Sequence, residues 1–281
     1  MTKKRNGEID LLRFLFSIII VFFHFNEFYD FGIFARGDIF VEFFFIVTGF
    51  LMAKSAEKLA RSKEQFTQKE IADSTWKFTF NKVKTIFSYY ISVVLIQLIV
   101  RYVIMRGSDL RTIVVGLFRS LPTFTLSFFG LIYVDDVSFY VGNTWFLSAM
   151  FIAILILFPL MLKAYDHSVK ILFPLLGMFL LGYIYTRYGT IVIWANWMGY
   201  CYVGILRAVA EIAIGAFLYF LSCVIREKYG KLITTKNVPF KIILTLFKAG
   251  LFATVILFAN GSDFGRNLTP YRYCNEGAMP E

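Results

Sequence analysis

The sequence contains few charged residues and almost no histidine. Charged residues make up 17% of the 281 residues, and only 2 histidines and 6 prolines occur. Soluble globular proteins carry about 25% charged and about 45–50% apolar residues, whereas apolar residues reach 58% here. The shortage of charge argues against a soluble globular protein, and the shortage of proline argues against a collagen-like or disordered chain.

Cysteine is also scarce. The 3 cysteines, Cys201, Cys223 and Cys274, are scattered and do not follow the spacing of metal ligands. An odd, scattered set of cysteines does not build a disulfide framework, and it does not predict a zinc site. We therefore expect no metal and no bound cofactor.

Acidic residues are fewer than basic ones, which gives a formal net charge of +10. An excess of lysine and arginine accompanies nucleic-acid binding, but in a membrane protein it also marks the cytoplasmic loops. The sequence shows no basic and aromatic pattern typical of a nucleic-acid groove. We favour the membrane explanation and expect no nucleic-acid partner.

Apolar runs of about 20 residues, the length that a helix needs to cross a bilayer, recur along the chain. Two other apolar segments, 112–133 and 188–201, are interrupted by polar residues or too short, and we expect them to be re-entrant or to lie at the outer surface. The sequence predicts an all-α fold, a polytopic helical membrane bundle with spanning helices at residues 9–29, 38–54, 85–105, 143–162, 170–187, 204–225 and 241–260.

The distribution of basic residues predicts the orientation. The 54–84 loop carries 8 lysines and arginines, and cytoplasmic loops are enriched in these residues. We expect a multi-pass protein of the cytoplasmic (inner) membrane with a cytoplasmic N-terminus. Mixed charges at helical spacing predict a surface helix over 54–77. Residues 1–260 are expected to form a single membrane domain, and residues 261–281 a polar tail.

The first predicted helix carries one polar stripe. Asp10, Arg13, Ser17 and His24 fall within about 60° of one another when successive residues are placed 100° apart. Arg13 and His24 are separated by about three turns, or about 16 Å along the axis. Ionisable residues inside a span are costly to bury and mark functional positions. The stripe therefore predicts a functional face that points to the bundle interior or to a cavity.

Three ionisable residues are the main site candidates. His24 is suited to general-base catalysis because imidazole titrates near neutral pH, and its alternative role is a hydrogen bond to a neighbouring helix. Arg13 is a fixed cation that suits a phosphate group, or else it extends to the lipid headgroups. Glu42 is expected at a similar depth to His24, where a carboxylate would orient the imidazole and stabilise its protonated form.

Several weaker signals accompany these residues. Arg207 and Glu211 are four residues apart and predict an ion pair on one helix face. Thr48 and Gly49 are small and predict close helix packing. Trp145 opens the fourth span, where tryptophan is common at the membrane interface.

Four stretches together resemble a known family. They are Glu8–Arg13 followed by His24, the acidic and aromatic run Val41–Met52, the basic entry Asn81–Lys84 to the third helix, and Trp145–Ala149. These stretches resemble the signature motifs of the type-3 integral-membrane acyltransferases. The first two motifs are the more specific, and the likeness extends from residue 8 to about residue 225.

The resemblance implies transfer of an acyl group, most often acetyl from acetyl-CoA, to a hydroxyl of a cell-surface or exported carbohydrate. Carried over by position, His24 is the catalytic residue with Glu42 as its acidic partner, and the donor is bound by Arg13, Lys82 and Lys84. The supporting residues are Asp10, Ser17, Trp145, Ser148 and Arg207. The implied partners are the acyl-CoA donor, a surface glycan or lipid-linked glycan as acceptor, and the lipid bilayer.

The sequence departs from the family pattern in two respects. Ser88 stands where the third-helix motif usually has proline, and the motif here contains lysines, which bind phosphate as point charges rather than bidentately. The family usually has more spanning helices than this chain, which predicts a C-terminally short member. Two other functions remain open: a transporter or flippase of a glycan or acyl substrate, and an inactive truncated relative. Many transporters contain two related halves, and no such repeat is visible here.

Overall fold

The computed structural model describes residues 6–25, 33–104, 111, 114–115, 118, 145–193, 196–198, 201–234 and 238–260. These residues are overwhelmingly helical, which confirms the predicted helical membrane bundle. The helices are α1 (Gly7–Phe25), α2 (Phe40–Ala60), α3 (Gln68–Ile104), α4 (Trp145–Lys163), α5 (Tyr165–Tyr188), α6 (Val203–Thr234) and α7 (Val238–Ala259). A 3-10 turn, Gly37–Ile39, precedes α2, and α5 contains a π-helical turn, Ser168–Leu172.

Within the described part of the chain, five helices are long and apolar enough to cross a membrane. These spans are Gly37–Ala60, Trp145–Lys163, Tyr165–Tyr188, Val203–Gly230 and Ile242–Ala259. The helices α1 and α3 coincide with the first and third predicted spans. α3 has 37 residues and measures about 55 Å, whereas the hydrocarbon core is about 30 Å thick. α3 is therefore longer than a membrane span requires, and the predicted span 85–105 would leave its first part outside the hydrocarbon core.

The two predicted re-entrant segments have different outcomes. Segment 112–133 lies almost entirely outside the described residues, as does the predicted tail 261–281. The described part of 188–201 forms no spanning helix. It contains β1 (Trp197–Met198), which pairs antiparallel with β2 (Cys201–Tyr202) just before α6.

The chain divides into two compact units. The first consists of Met1–Phe44 and Ile225–Glu281, and the second of Phe45–Val224. In the first unit, Phe16 of α1 is the centre of the packing. Its ring lies 4.3 Å from Phe40, 4.6 Å from Phe43 and 6.2 Å from Phe252 of α7. Phe16 thus joins α1 to the start of α2 and to α7 through aromatic contacts.

The turn before α2 closes the end of α7. The backbone N–H of Arg36 donates to the Ala259 carbonyl at 3.0 Å, and that of Phe34 donates to the Asn260 side chain at 3.0 Å. These bonds satisfy groups that a helix end leaves open. Phe34 has a φ of 54°, a left-handed conformation that costs a residue other than glycine about 1–3 kcal/mol. The docking of α7 therefore holds a strained turn in place.

In the second unit, two glycines bring α2 and α6 into backbone contact. A side chain on Gly49 would collide with the backbone carbonyl of Ile212, and one on Gly215 would collide with the backbone of α2. Small residues allow such close approach between membrane helices. The predicted packing role of Gly49 is confirmed, and the neighbouring Thr48 donates its hydroxyl to the Met150 sulfur at 3.6 Å.

The predicted surface helix over 54–77 is wrong. α2 continues to Ala60 and α3 begins at Gln68, so the segment consists of two helix ends and a turn. A capping box starts α3: the Thr67 N–H donates to the Glu70 carboxylate at 2.9 Å, and the Glu70 N–H donates to the Thr67 hydroxyl at 3.4 Å. Lys63 pairs with the same carboxylate at 2.7 Å across the turn. The spacing of the charged residues did not predict this break. Charges at the ends of two consecutive helices have the same spacing as charges along one solvated helix.

We expect Gly49→Ala to destabilise the protein by about 1–3 kcal/mol or more, because overpacking here meets backbone rather than a flexible side chain. Gly182→Ala is the matched control, since a Cβ at Gly182 has no neighbour within 4 Å. Thermal unfolding of the purified variants in detergent measures the difference. Equal melting temperatures for the two variants would contradict the backbone contact.

The capping box predicts a pH dependence. Hydrogen bonds from Lys63, and then from the backbone and hydroxyl of Thr67, lower the pKa of Glu70 from 4.5 to about 2. Since the folded pKa is depressed, the ionised cap stabilises the first turn of α3 above about pH 4.5 and is lost as the pH falls towards 2. We expect the hydrogen-bonded amides of Thr67, Glu70 and Ile71 to lose hydrogen-exchange protection, relative to intrinsic rates, over that range.

Glu70→Ala, which removes the acceptor of the capping box, should show the weakly protected amides already at neutral pH. Glu64→Ala, which removes an exposed carboxylate outside the capping box, is the control and should keep wild-type protection. The capping role is refuted if Glu70→Ala exchanges like the wild type at neutral pH.

Candidate active site

The polar stripe of α1 lies at the border between its buried and its exposed face. Phe16 and Ile19 are buried, whereas Phe14 is 64% exposed. Arg13 and His24 lie between these faces and are half-buried. Part of each side chain is therefore packed against protein, and the rest is exposed.

Two supporting residues of the stripe have defined backbone roles. The Asp10 N–H donates to the Asn6 carbonyl at 3.1 Å at the start of α1. The Ser17 hydroxyl donates to the Arg13 carbonyl at 2.8 Å. The proton of Ser17 is thus used within the helix, which leaves its oxygen as an acceptor. The supporting roles of Asp10 and Ser17 at a site stay predictions.

The packing of α2 on α1 sets the depth of Glu42. The 3-10 turn lies against Phe23, one residue before His24. Phe43, one residue beyond Glu42, packs on Phe16. Glu42 follows the start of the 3-10 turn by five residues and so lies roughly 8 Å farther along the axis. Its backbone is therefore level with the middle of α1.

The relative depth of α1 and α2 determines how easily Glu42 can pair with His24. Phe16, which marks the level of Glu42, is three residues from Arg13 and eight from His24. The half-buried carboxylate is therefore nearer in depth to Arg13 than to His24. A direct contact between Glu42 and His24 requires their side chains to span this difference in depth along the helix axis. The pair stays a prediction.

In the second unit, a buried polar network surrounds the start of α4. The Ser148 hydroxyl donates to the Trp145 carbonyl at 2.7 Å. The Tyr202 hydroxyl lies 2.9 Å from that of Ser148 and 3.2 Å from the same carbonyl. Burial raises the pKa of Tyr202 above its ordinary value, so the phenol stays protonated and donates. The network fixes β2 against the first turn of α4.

The predicted ion pair in α6 is confirmed. Arg207 Nε donates to Glu211 Oε1 at 2.8 Å, and the two residues are 1% and 4% exposed. Arg207 also donates through Nη1 to the Val192 carbonyl at 2.8 Å and lies 5.9 Å from the Trp145 ring. Three predicted supporting residues, Trp145, Ser148 and Arg207, therefore come together. The guanidinium is enclosed, so its role is to hold the segment that follows α5 against α6.

Lys82 and Lys84 lie on opposite sides of α3, because two residues turn a helix by about 200°. Lys84 is exposed, whereas Lys82 is half-buried with its ammonium 5.8 Å from the centre of the Phe78 ring. Phe78 in turn stacks on Phe158 of α4 at 4.4 Å. The two lysines therefore face different surroundings, and their donor-binding role stays a prediction.

Sequence reasoning missed two tyrosines that hold the fold together. Tyr202 bonds to Ser148, which is 54 positions away, and Tyr219 donates to Glu57 at 2.6 Å across 162 positions. Arg61 pairs with the same carboxylate at 2.6 Å. No local sequence pattern predicts partners that are so far apart in the chain. The only available signal is that a tyrosine near the end of an apolar span needs an acceptor for its hydroxyl.

The residues that the structure describes offer no metal centre. Within these ranges, no three His, Cys, Asp or Glu side chains are grouped as ligands. Burial raises the pKa of the Cys201 thiol, which keeps it protonated and disfavours a role as nucleophile or metal ligand.

Comparison with protein families identifies the class of the protein. A family model described as an acyltransferase domain matches residues 6–275, nearly the whole chain. The chain belongs to the type-3 acyltransferase family, which confirms the resemblance, and it is an enzyme that transfers acyl groups other than amino-acyl groups. Comparison with curated proteins and with solved structures finds no significant match.

We expect Arg207→Met to destabilise the protein by about 3–5 kcal/mol, because it leaves the Glu211 carboxylate buried without its cation. The double variant Arg207→Met/Glu211→Leu should recover most of this loss, since an apolar pair needs no compensation. Unfolding of each variant in detergent measures the change in stability.

The matched control is Lys170→Met, which breaks the exposed pair of Lys170 and Asp166 at 2.6 Å. Exposed pairs contribute about 0–1 kcal/mol, so this variant should resemble the wild type. A double variant as unstable as Arg207→Met would show that the loss does not come from the unpaired charge.

Proposed function

We propose that this membrane enzyme transfers an acetyl group from acetyl-CoA to a hydroxyl of a cell-surface or exported carbohydrate, with His24 as the catalytic residue. Membership of the acyltransferase family supports an acyl donor and an acceptor. The observation that carries the site assignment is the α1 stripe. There a half-buried histidine and a half-buried arginine share one face of an otherwise apolar helix.

In this proposal His24 acts as a general base. The imidazole takes the proton of the acceptor hydroxyl while that oxygen attacks the carbonyl carbon of the thioester. The carbon–sulfur bond then breaks, and the imidazolium returns the proton to the departing thiolate of CoA. The products are the acetylated sugar and CoA, and His24 is again neutral.

Arg13 and Glu42 have separate roles in this proposal. Arg13 holds the pyrophosphate of the donor, about 16 Å along the axis from His24. That separation is on the scale of the extended pantetheine arm, which joins the pyrophosphate of CoA to its sulfur. Glu42, level with the middle of α1, provides the negative charge that stabilises the cations of the stripe, including the imidazolium formed during transfer.

The test is acetyl transfer in inverted membrane vesicles supplied with labelled acetyl-CoA. We expect His24→Ala to lower the rate of CoA release and of glycan labelling by at least about 100-fold, the usual contribution of a general base. The variant should insert normally, because His24 is only half-buried.

The matched control is His167→Ala, which changes the other histidine of the chain, an exposed residue at the start of α5. It should keep the wild-type rate. Wild-type transfer by His24→Ala would overturn the catalytic assignment. Label that accumulates on the wild-type protein without acceptor, but not on His24→Ala, would replace the general-base route with an acyl-histidine intermediate.

A further inference from the structure

The 3-10 turn that precedes α2 lies against the end of α1 that carries His24. A Cβ placed on Gly37 would lie 2.5 Å from the Cβ of Phe23 and 3.1 Å from the carbonyl oxygen of Ile19. Phe23 and Gly37 therefore face each other. His24 is the next residue of α1, and Asp38 is the next residue of the turn. Both of these side chains are half-buried.

Helical geometry places the imidazole and this carboxylate on the same side of the contact. α1 and α2 run in opposite directions, since the turn lies at Phe23 whereas Phe43 packs on Phe16. Both helices are right-handed. When two antiparallel right-handed helices face each other, the next residue of each turns to the same side of the pair. His24 and Asp38 are these two residues.

Asp38 is also closer to His24 in depth than Glu42 is. His24 and Asp38 each follow the facing pair by one residue, which separates their backbones by about 4 Å along the axis. Glu42 is level with Phe16, which is about 12 Å from His24 along α1. Side chains lean towards the N-terminus of their own helix, so in this antiparallel pair they lean towards each other. The lean closes most of the smaller separation but only part of the larger one.

The turn that carries Asp38 is anchored on two sides. Gly37 packs on α1, and the Arg36 N–H donates to the Ala259 carbonyl at the end of α7. The Arg36 guanidinium lies 5.1 Å from the centre of the Phe258 ring, also at the end of α7. A carboxylate on an anchored turn suits the orientation of a neighbouring catalytic group, because such a group needs supports with a fixed geometry.

We propose that the carboxylate of Asp38 accepts a hydrogen bond from the imidazole of His24 and orients the ring for acetyl transfer; this inference rests on the proposed function. The bond holds the proton on the ring nitrogen that faces Asp38. The opposite nitrogen therefore keeps its lone pair for the acceptor hydroxyl. Asp38 is a positioning residue, and Glu42 remains the compensating charge nearer the depth of Arg13.

The alternative role of Asp38 is purely structural. An acidic residue at the start of a helix is stabilised by the helix dipole, and this interaction needs no histidine. The experiment must therefore measure the state of the imidazole as well as stability and activity.

The first measurement determines which ring nitrogen of His24 carries the proton. The chain has 2 histidines, so in the His167→Ala background all histidine signals come from His24. Nitrogen-15 shifts of the purified full-length protein are recorded at alkaline pH, where imidazole is ordinarily neutral. One tautomer should dominate when Asp38 is present. Asp38→Asn should favour the other tautomer, because the amide donates to the nitrogen that previously donated, and Asp38→Ala should give a mixture.

The second measurement is acetyl transfer in the inverted vesicles. Asp38→Asn should lower kcat by at least about 100-fold, as His24→Ala does, because the base is held in the wrong tautomer. The KM for acetyl-CoA should change by less than about threefold, since a positioning residue does not contact the donor. Asp38→Glu keeps the carboxylate and should recover part of the rate and the original tautomer.

The matched acid-to-amide control is Asp166→Asn, which changes an exposed residue that pairs with Lys170 at 2.6 Å. It should leave both the rate and the tautomer as they are in the wild type. Glu42→Gln and Glu27→Gln test two other acids, the expected partner and the acidic residue nearest to His24 in the sequence. Both variants should keep the original tautomer.

An unchanged tautomer in both Asp38→Asn and Asp38→Ala overturns the inference. If their melting temperatures fall at the same time, the role of Asp38 is structural. A changed tautomer in Glu42→Gln or Glu27→Gln, but not in the Asp38 variants, assigns the contact to that other acid and also overturns the inference. A wild type without acetyl transfer refutes the proposed function and the catalytic part of the inference, and the tautomer then decides the contact between Asp38 and His24 by itself.

Discussion

A charge enclosed among apolar helices must be compensated, and this requirement separates the polar residues of the chain into two kinds. Arg207 and Glu211 neutralise each other within α6, one turn apart, so they can be almost completely buried. Arg13 and His24 are both basic and lie about three turns apart, so neither is the counter-charge of the other. They occur instead at the border of the buried face of α1. The first arrangement suits a structural tie, and the second suits contact with a ligand.

The enclosed pair lies next to the close approach of α2 and α6. Gly49 meets the backbone of α6 at Ile212, the residue after Glu211. Phe45, one turn before Gly49 on α2, lies with its ring 6.0 Å from the Trp145 ring. That ring in turn lies over the Arg207 guanidinium. The Gly49 contact, the Phe45–Trp145 contact and the buried Arg207 are thus neighbouring parts of the second unit.

The sequence was sufficient for the helices but not for their relative depth. Apolar runs of spanning length set the helices, because the backbone in lipid must satisfy its own hydrogen bonds. The break between α2 and α3 was missed, although Thr67 and Glu70 carry a capping signal at the correct spacing. The depth of Glu42 was not predictable for a different reason. It depends on how the chain before α2 packs on Phe23 and Phe16, which are tertiary contacts.

The same distinction applies to the candidate site. The α1 stripe was visible because an ionisable residue on an apolar helix is unusual and the helical period reveals which residues share a face. Threonine on a helix is common, and its hydroxyl ordinarily bonds to its own backbone, so neither Thr75 nor Thr79 of α3 stands out in the sequence. In the structure the two residues are 5% and 4% exposed, and within the described part of the chain neither hydroxyl oxygen has a hydrogen-bond partner. A polar group that the fold encloses without a hydrogen-bond partner is therefore a feature that only the structure reveals.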